Sequence, residues 1–216
     1  MYESIKLPNT RYQGSKKKII TTIYKFIREH VNPNHILDLF GGSAICSLYF
    51  NLHDIEVTYN DILKFNCINA TGLLDNDINN IPCEEEIKNI FIQNNDLNYE
   101  TFIYDKFKDV YYTDDENIQL DIFRENIKHY GNLKKSNIMY YLLFQSLISK
   151  RPYNLFHRKN LSIRTSDVNR NFGNKTTWDT NFIVHMLKFR KELIKLYEQK
   201  KLIAVPPQLF KVIHAT

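Results

Sequence analysis

One short segment constrains the fold of this chain more than any other feature: residues 36–40, which are apolar except for the acidic Asp38, lead directly into the glycine pair Gly41 and Gly42. The apolar run is typical of a strand, and the glycines let a ligand approach the backbone because they carry no Cβ atoms. Residues 44–50 predict a helix that begins directly after the turn and directs its first backbone N–H groups at the ligand. The segment therefore predicts a strand, a ligand-binding turn and a helix.

The neighbouring residues extend this unit. Residues 55–59 alternate apolar and polar side chains as a second strand that stops at Asp61. This is βαβ order, in which the two strands are parallel neighbours. Helices are predicted over residues 15–30 and 62–74, and residues 202–205 are a candidate third strand. The sequence therefore predicts an α/β fold with a partial sheet of two or three parallel strands.

The middle of the chain has a different composition and residue pattern. Polar, Asn-rich windows with helical periodicity follow at residues 84–93, 99–110, 115–130 and 136–149. No strand pattern interrupts them, which predicts a helical insertion over residues 76–149. Residues 150–178 have no periodicity and predict a long functional loop. Residues 179–216 predict a return helix, which ends near residue 200, and a C-terminal tail.

The formal net charge of +5 is concentrated in one segment. Residues 150–175 contain seven cations and one anion, a net charge of +6 that leaves −1 for the rest of the chain. The cations are Lys150, Arg151, Arg158, Lys159, Arg164, Arg170 and Lys175. Aromatic side chains lie between them, and this combination suits phosphate contacts together with stacking on bases or sugars. The segment is therefore predicted to bind nucleic acid.

The glycine turn alone does not identify its ligand, because nicotinamide, flavin and S-adenosylmethionine sites all combine such a turn with an acid at the end of the next strand. A dinucleotide site normally shows Gly-x-Gly-x-x-Gly, whereas this turn has only two adjacent glycines. Asp38 suits a ligand with an amine or a cationic group, and S-adenosylmethionine has both, so the spacing favours it. Asp61 either accepts hydrogen bonds from ribose hydroxyls or merely caps the following helix.

Three separated motifs, residues 11–16, the glycine turn and residues 60–61, together resemble the amino-terminal half of the DNA adenine methylase family. Members of this family use S-adenosylmethionine to methylate the exocyclic amine of adenine in DNA. Tyr12, Gly14 and Lys16 fit the aromatic-x-Gly-x-Lys stretch of the family. The resemblance implies that Tyr12 packs against the cofactor and that Lys16 pairs with its methionine carboxylate.

The resemblance also covers the turn and the basic segment. Asp38, Phe40, Gly42 and Ser43 match the acid-x-Phe-x-Gly loop of the family, with Ala44 where a further glycine is usual. It implies a Rossmann-like methyltransferase sheet whose cofactor-binding core lies in residues 1–75. The predicted cofactor-binding residues are Tyr12, Gly14, Lys16, Asp38, Phe40, Gly41, Gly42, Ser43 and Asp61. The basic segment is similar to the family's DNA-recognition segment, which implies double-stranded DNA as the partner of the seven cations.

The catalytic tetrapeptide of the family is absent from the 216 residues. The family uses Asp-Pro-Pro-Tyr or Asn-Pro-Pro-Tyr to accept the hydrogens of the adenine amine and to stack the extruded base. The only Pro-Pro pair is Pro206-Pro207, which lies between Val205 and Gln208, so no catalytic residue is predicted. In the family the first strand has a neighbour on each side, one of which carries the tetrapeptide. One edge of that strand is therefore expected to be unpaired, which predicts self-association, instability or a partner that completes the sheet.

The leading hypothesis is the cofactor-binding and DNA-contacting half of an adenine-specific DNA methyltransferase in a restriction–modification setting. It would act only when a second polypeptide supplies the Pro-Pro-Tyr half. The alternatives are an inactive DNA-binding remnant of a truncated methylase gene and an RNA methyltransferase. The cysteines and histidines are scattered, so no metal site is expected. The sequence shows neither a secretory signal nor a membrane span, which predicts a cytoplasmic protein.

Overall fold

The structure is a computed structural model of the chain. It describes residues 7–8, 14–151, 159–166, 175–202 and 210–214. Three of the predicted cofactor-binding and DNA-binding residues, Tyr12, Arg158 and Arg170, lie outside the described residues.

A parallel sheet of three strands forms one layer. The strands are β1 (His35–Asp38), β2 (Glu56–Asp61) and β3 (Phe210–His214), in the order β1-β2-β3. Asp38 pairs with Tyr59 at the end of β1, so the carboxyl ends of β1 and β2 lie side by side. The parallel pair predicted from the βαβ order is therefore confirmed.

The third strand is not where the sequence pattern predicts it. Leu202, the first residue of the predicted strand, is the last residue of the final helix, and residues 203–205 lie outside the described residues. The observed strand β3 begins at Phe210 and pairs with β2 from Val57 to Asp61. A short apolar run directly after a helix has the same pattern as a strand, but its first residue continues the helix.

Helices surround the sheet. They are α1 (Ile20–His30), α2 (Ile45–Asn51), α3 (Lys64–Leu74), α4 (Glu84–Asn89), α5 (Phe102–Phe107), α6 (Asp114–Lys128), α7 (Leu133–Lys150), α8 (Leu161–Thr165), α9 (Lys175–Asp179) and α10 (Phe182–Leu202). Residues 76–149, all of which the structure describes, contain helices and no strand, as the pattern predicts. Among the helices described, none is long and apolar enough to cross a membrane.

Two apolar clusters hold the elements together. The larger one includes buried side chains of α3, α7 and α10, so the helical insertion shares its core with the sheet domain. The smaller one joins Ile20 of α1 to Phe50, Ile55 and Val57. Burial of these side chains supplies the main favourable free energy of folding and fixes α2 and α3 against the sheet.

One edge of the sheet is open. Among the described residues, β1 has β2 as a neighbour on one side and no strand on the other. Leu37 and Leu39 are about half exposed, and the side chain of Phe40 is 83% exposed. An exposed apolar edge of this kind is a template for pairing with another strand, as the sequence leads us to expect.

The basic segment contains a buried ion network. The carboxylate of Glu116, in α6, accepts hydrogen bonds from both terminal nitrogens of Arg164 at 2.7 Å and lies 2.8 Å from the ammonium of Lys150. Arg164 also donates to the carbonyl of Trp178 at 3.0 Å, and Lys150 donates to the carbonyl of Thr180. The network therefore joins α6, α7, α8 and the end of α9.

Three of the seven predicted DNA contacts lie in the interior of this structure. Lys150, Arg151 and Arg164 are only 1–4% exposed, and the Arg151 guanidinium lies over the Tyr111 ring at 4.4 Å. Buried cations with these internal partners stabilise the packing of the segment and are not available to phosphates. The segment is also not one continuous loop, because it contains α8 and begins α9.

We expect Glu116→Gln to destabilise the protein by about 3–5 kcal/mol, because it leaves two buried cations without a carboxylate. Glu100→Gln is the control: Glu100 is paired with Arg124 at 2.8 Å but is exposed, so its loss should cost less than about 1 kcal/mol. Urea unfolding measures both. Equal losses in the two variants would contradict the assignment.

The same network predicts a pH dependence of stability. Burial raises the pKa of Glu116, but its bonds to Arg164 and Lys150 outweigh burial and hold the pKa below its ordinary value of 4.5. The free energy that the carboxylate contributes is therefore complete above that pH and is lost as the pH falls through the lowered pKa. This part of the acid sensitivity should disappear in Glu116→Gln.

Candidate functional site

The candidate site lies at the carboxyl ends of β1 and β2, where the glycine turn joins β1 to α2. Parallel strands bring their carboxyl ends to one edge of the sheet, and ligands of α/β proteins bind outside that edge. Asp38 ends β1 and Asp61 ends β2, so two carboxylates from separate parts of the sequence lie on either side of the turn. The structure therefore brings together the acids that the sequence pattern singles out.

The turn is held by the end of β2. The Gly41 N–H donates to the carbonyl of Asn60 at 3.0 Å, and the Gly42 N–H donates to Oδ2 of Asp61 at 2.8 Å. The side chain of Asn60 reaches back to the carbonyl of Leu39 at 2.7 Å. These bonds fix the backbone of a turn that has almost no side chains of its own to pack.

The two glycines are required for different reasons. Gly42 has a φ of 51°, in the left-handed region that favours glycine. A Cβ atom on Gly41 would lie 2.1 Å from Cε2 of the Tyr59 ring, so glycine is needed there for space. Ala44 also adopts a left-handed conformation, with a φ of 59°, a region that favours glycine over alanine.

Asp61 anchors both the turn and the start of α3. Its Oδ1 accepts from the Leu63 N–H at 2.8 Å, while Oδ2 holds Gly42. Burial raises the pKa of Asp61, but bonds from Leu63, Asn66 and Gly42 outweigh it and lower the pKa below its usual range. Asp61 holds the N–H of Leu63, which is the N-cap residue of α3 and makes no side-chain cap of its own. Roughly one of the four acceptor positions of the Asp61 carboxylate is left for a ligand.

Asp38 is half-buried beside the turn. Its Oδ2 accepts a hydrogen bond from the Ser47 hydroxyl at 2.6 Å. Burial raises the pKa of Asp38, the Ser47 bonds oppose this, and the nearby charge of Asp61 raises it further. Two carboxylates that repel each other across a turn create a local preference for a positively charged ligand group.

A cation completes the site. The Lys16 ammonium donates to the carbonyl of Gly14 at 3.1 Å and is exposed. Burial raises the pKa of the Cys46 thiol to about 11, the charge of Asp38 raises it, and the charge of Lys16 opposes them. Lys16 begins a short 3-10 helix, Lys16–Lys18, that packs against α2, the helix whose Ser47 bonds Asp38.

The remaining predicted residues are distributed as follows. Gly14 is exposed with a φ of 80°, and Ser43 is half-buried at the start of α2. The Phe40 ring is 83% exposed next to the turn, an exposure that favours coverage by a ligand or another chain. Tyr12 lies outside the described residues. Lys159 and Lys175 are exposed and remain candidate phosphate contacts.

Residues that the sequence reasoning did not assign also build the site. Ser47 was expected only as part of a helix, and Tyr59 only as an apolar position of a strand. The alternation of residues 55–59 correctly predicts that Tyr59 points into the core. It carries no signal that the hydroxyl would reach the turn.

Comparison with known proteins agrees with this geometry. A model of the family described as D12 class N6 adenine-specific DNA methyltransferase matches residues 12–203. A curated relative, the Type II methyltransferase M2.HphI of Haemophilus parahaemolyticus, is 29% identical over 151 residues, which are 70% of this chain and 43% of the relative. The chain thus spans less than half the length of this relative. No solved structure matches the chain.

We expect Gly41→Ala to destabilise the protein by about 1–3 kcal/mol, because the new methyl group overlaps the Tyr59 ring. In a Tyr59→Leu background the ring atoms are gone, so the same substitution should cost less. Chemical unfolding of the four proteins of this cycle measures the difference. An equal cost of Gly41→Ala in both backgrounds would show that the clash is not the cause.

Proposed function

We propose that this chain, which belongs to the family of D12 class N6 adenine-specific DNA methyltransferases, binds S-adenosylmethionine at the glycine turn and contacts double-stranded DNA through its basic segment. The methyl acceptor is the exocyclic amine of adenine. The observation that carries the proposal is the glycine turn held by Asp61, with Asp38 beside it at the end of the neighbouring strand.

The charges of the site fit this cofactor. S-adenosylmethionine has an α-amine and a sulfonium, both positive, and a carboxylate, and when bound it supplies the electrophilic methyl group. Asp38 would hold the amine and Lys16 the carboxylate, while Asp61 keeps an acceptor position for a ribose hydroxyl. The exposed Phe40 ring offers an apolar surface beside the turn.

The proposed DNA contacts are fewer than the sequence suggests. The network centred on Glu116 fixes the basic segment internally at Lys150 and Arg164. Lys159 and Lys175 are exposed and lie next to the parts of the segment outside the described residues, which include Arg158 and Arg170. These four cations are the phosphate contacts that we now propose.

The group that accepts the hydrogens of the adenine amine has to come from a Pro-Pro-Tyr segment that these 216 residues lack. We propose that a second polypeptide provides it and pairs with the open edge of β1, where Leu37 and Leu39 are exposed. Because the relative is named a Type II methyltransferase, restriction–modification is the setting we propose. A cytoplasmic location stays a prediction.

Cofactor binding is tested by titrating S-adenosylmethionine into the wild-type chain and into Asp61→Asn by calorimetry. The variant should bind at least about tenfold more weakly, since an amide cannot accept from both Gly42 and Leu63. Asp121→Asn is a matched control, because Asp121 is also buried and accepts two backbone N–H groups, from Ile103 and Tyr104. Its affinity should equal that of the wild type, and absence of binding to the wild type would refute the proposal.

DNA binding is tested with Lys159→Ala combined with Lys175→Ala. We expect weaker binding to a DNA duplex and a salt dependence reduced by up to about two counterions, with unchanged cofactor affinity. Lys25→Ala with Lys88→Ala removes two exposed lysines outside the basic segment and should leave the salt slope unchanged. Fluorescence anisotropy at several salt concentrations gives the slopes. The same slope in both double variants would place the interface elsewhere.

A further inference from the structure

Tyr59 lies beneath the glycine turn and touches it in two ways. Its side chain is fully buried, and its ring occupies the space that a Cβ atom of Gly41 would need. Its hydroxyl donates to the carbonyl of Gly42 at 2.8 Å. Asp61 is two positions further along β2, so its side chain emerges on the same face and accepts from the N–H of Gly42. Two side chains of one strand therefore hold one residue of the turn at both of its backbone polar groups.

This arrangement fixes the two peptide planes that flank Gly42. A carbonyl and the N–H of the next residue belong to one rigid plane. The Tyr59 bond therefore sets the direction of the Ser43 N–H, and the Asp61 bond sets the direction of the Gly41 carbonyl. Ala44 holds that carbonyl as well, by donating to it at 2.9 Å. Side chains of β2 thus orient the backbone that a cofactor would contact.

We propose that Tyr59 is a positioning residue for the cofactor site, acting through the Gly42 carbonyl and the peptide plane that this carbonyl shares with Ser43. This inference rests on the proposed function for its ligand. Gly42 has a left-handed φ and no side chain, so its neighbouring peptides have little else to hold them. Without the hydroxyl, the buried carbonyl loses its donor, and the plane gains freedom to rotate. The cofactor then has to order the turn when it binds.

A purely structural tyrosine would behave differently, and the chain contains a matched case. Tyr197, in α10, is also buried and also donates from its hydroxyl to a glycine carbonyl at 2.8 Å, that of Gly72 in α3. Tyr59→Phe and Tyr197→Phe therefore remove the same kind of hydrogen bond from the core. They differ in whether the glycine that loses its donor belongs to the turn.

The experiment measures thermal unfolding and S-adenosylmethionine affinity for the wild-type chain and both variants. Both variants should unfold at a lower temperature, and Tyr197→Phe should lose at least as much stability, since the Tyr197 hydroxyl also accepts hydrogen bonds from the backbone at Asp75 and Asn76. Tyr59→Phe should bind S-adenosylmethionine about tenfold more weakly, and Tyr197→Phe should bind it as the wild type does. Unchanged affinity in Tyr59→Phe, or an equal loss in both variants, overturns the proposal.

Amide hydrogen exchange separates this inference from the proposed function, because it needs no ligand. Exchange at Gly42 and Ala44 should become faster in Tyr59→Phe and not in Tyr197→Phe. If the wild type fails to bind S-adenosylmethionine, the cofactor assignment falls, and faster exchange confined to Tyr59→Phe still supports a positioning role in the turn. Identical exchange of these amides in all three proteins overturns that role.

Discussion

The parallel pairing of β1 with β2 is the constraint on which the candidate site depends. Asp38 and Asp61 are 23 positions apart in the chain, and the pairing of Asp38 with Tyr59 brings them to the same edge of the sheet. A shift of β2 by one residue would turn Tyr59 and Asp61 to the other face. The turn would then lose the donor to its Gly42 carbonyl and the acceptor of its Gly42 N–H together. The geometry of the candidate site and the strand register are therefore specified by the same residues.

The basic segment illustrates how charge in a sequence differs from charge on a surface. Three of its seven cations are buried, and the carboxylate of Glu116 forms ion pairs with two of them. Burying two cations around one carboxylate costs solvation free energy and returns stability only through well-formed hydrogen bonds. The network joins four helices, so it provides a rigid base for the exposed cations around it. The buried cations of the segment thus stabilise its fold, and the exposed cations are its candidate phosphate contacts.

Much of the site could be predicted from the sequence because it depends on local patterns. The apolar run before Gly41, the alternation up to Tyr59 and the acid at position 61 predict the two strands and the turn correctly. The burial of Arg164 could not be predicted, since its partner Glu116 is 48 positions away and the pair forms only in the folded chain. The hydrogen bond from the Tyr59 hydroxyl to the Gly42 carbonyl could not be predicted for the same reason. The third strand was misplaced because a short apolar run fits the end of a helix as well as a strand.

The open edge of β1 would join the proposed cofactor site to a completed sheet. Strands inside a parallel sheet are covered on both faces, and the exposed Leu37 of β1 is an apolar side chain that such a cover would bury. Asp38 is the last residue of the same strand, so a strand that pairs with β1 restrains the residue proposed to hold the cofactor amine. A partner that orders Asp38 raises the affinity for the cofactor. By thermodynamic reciprocity the cofactor then raises the affinity for that partner by the same factor.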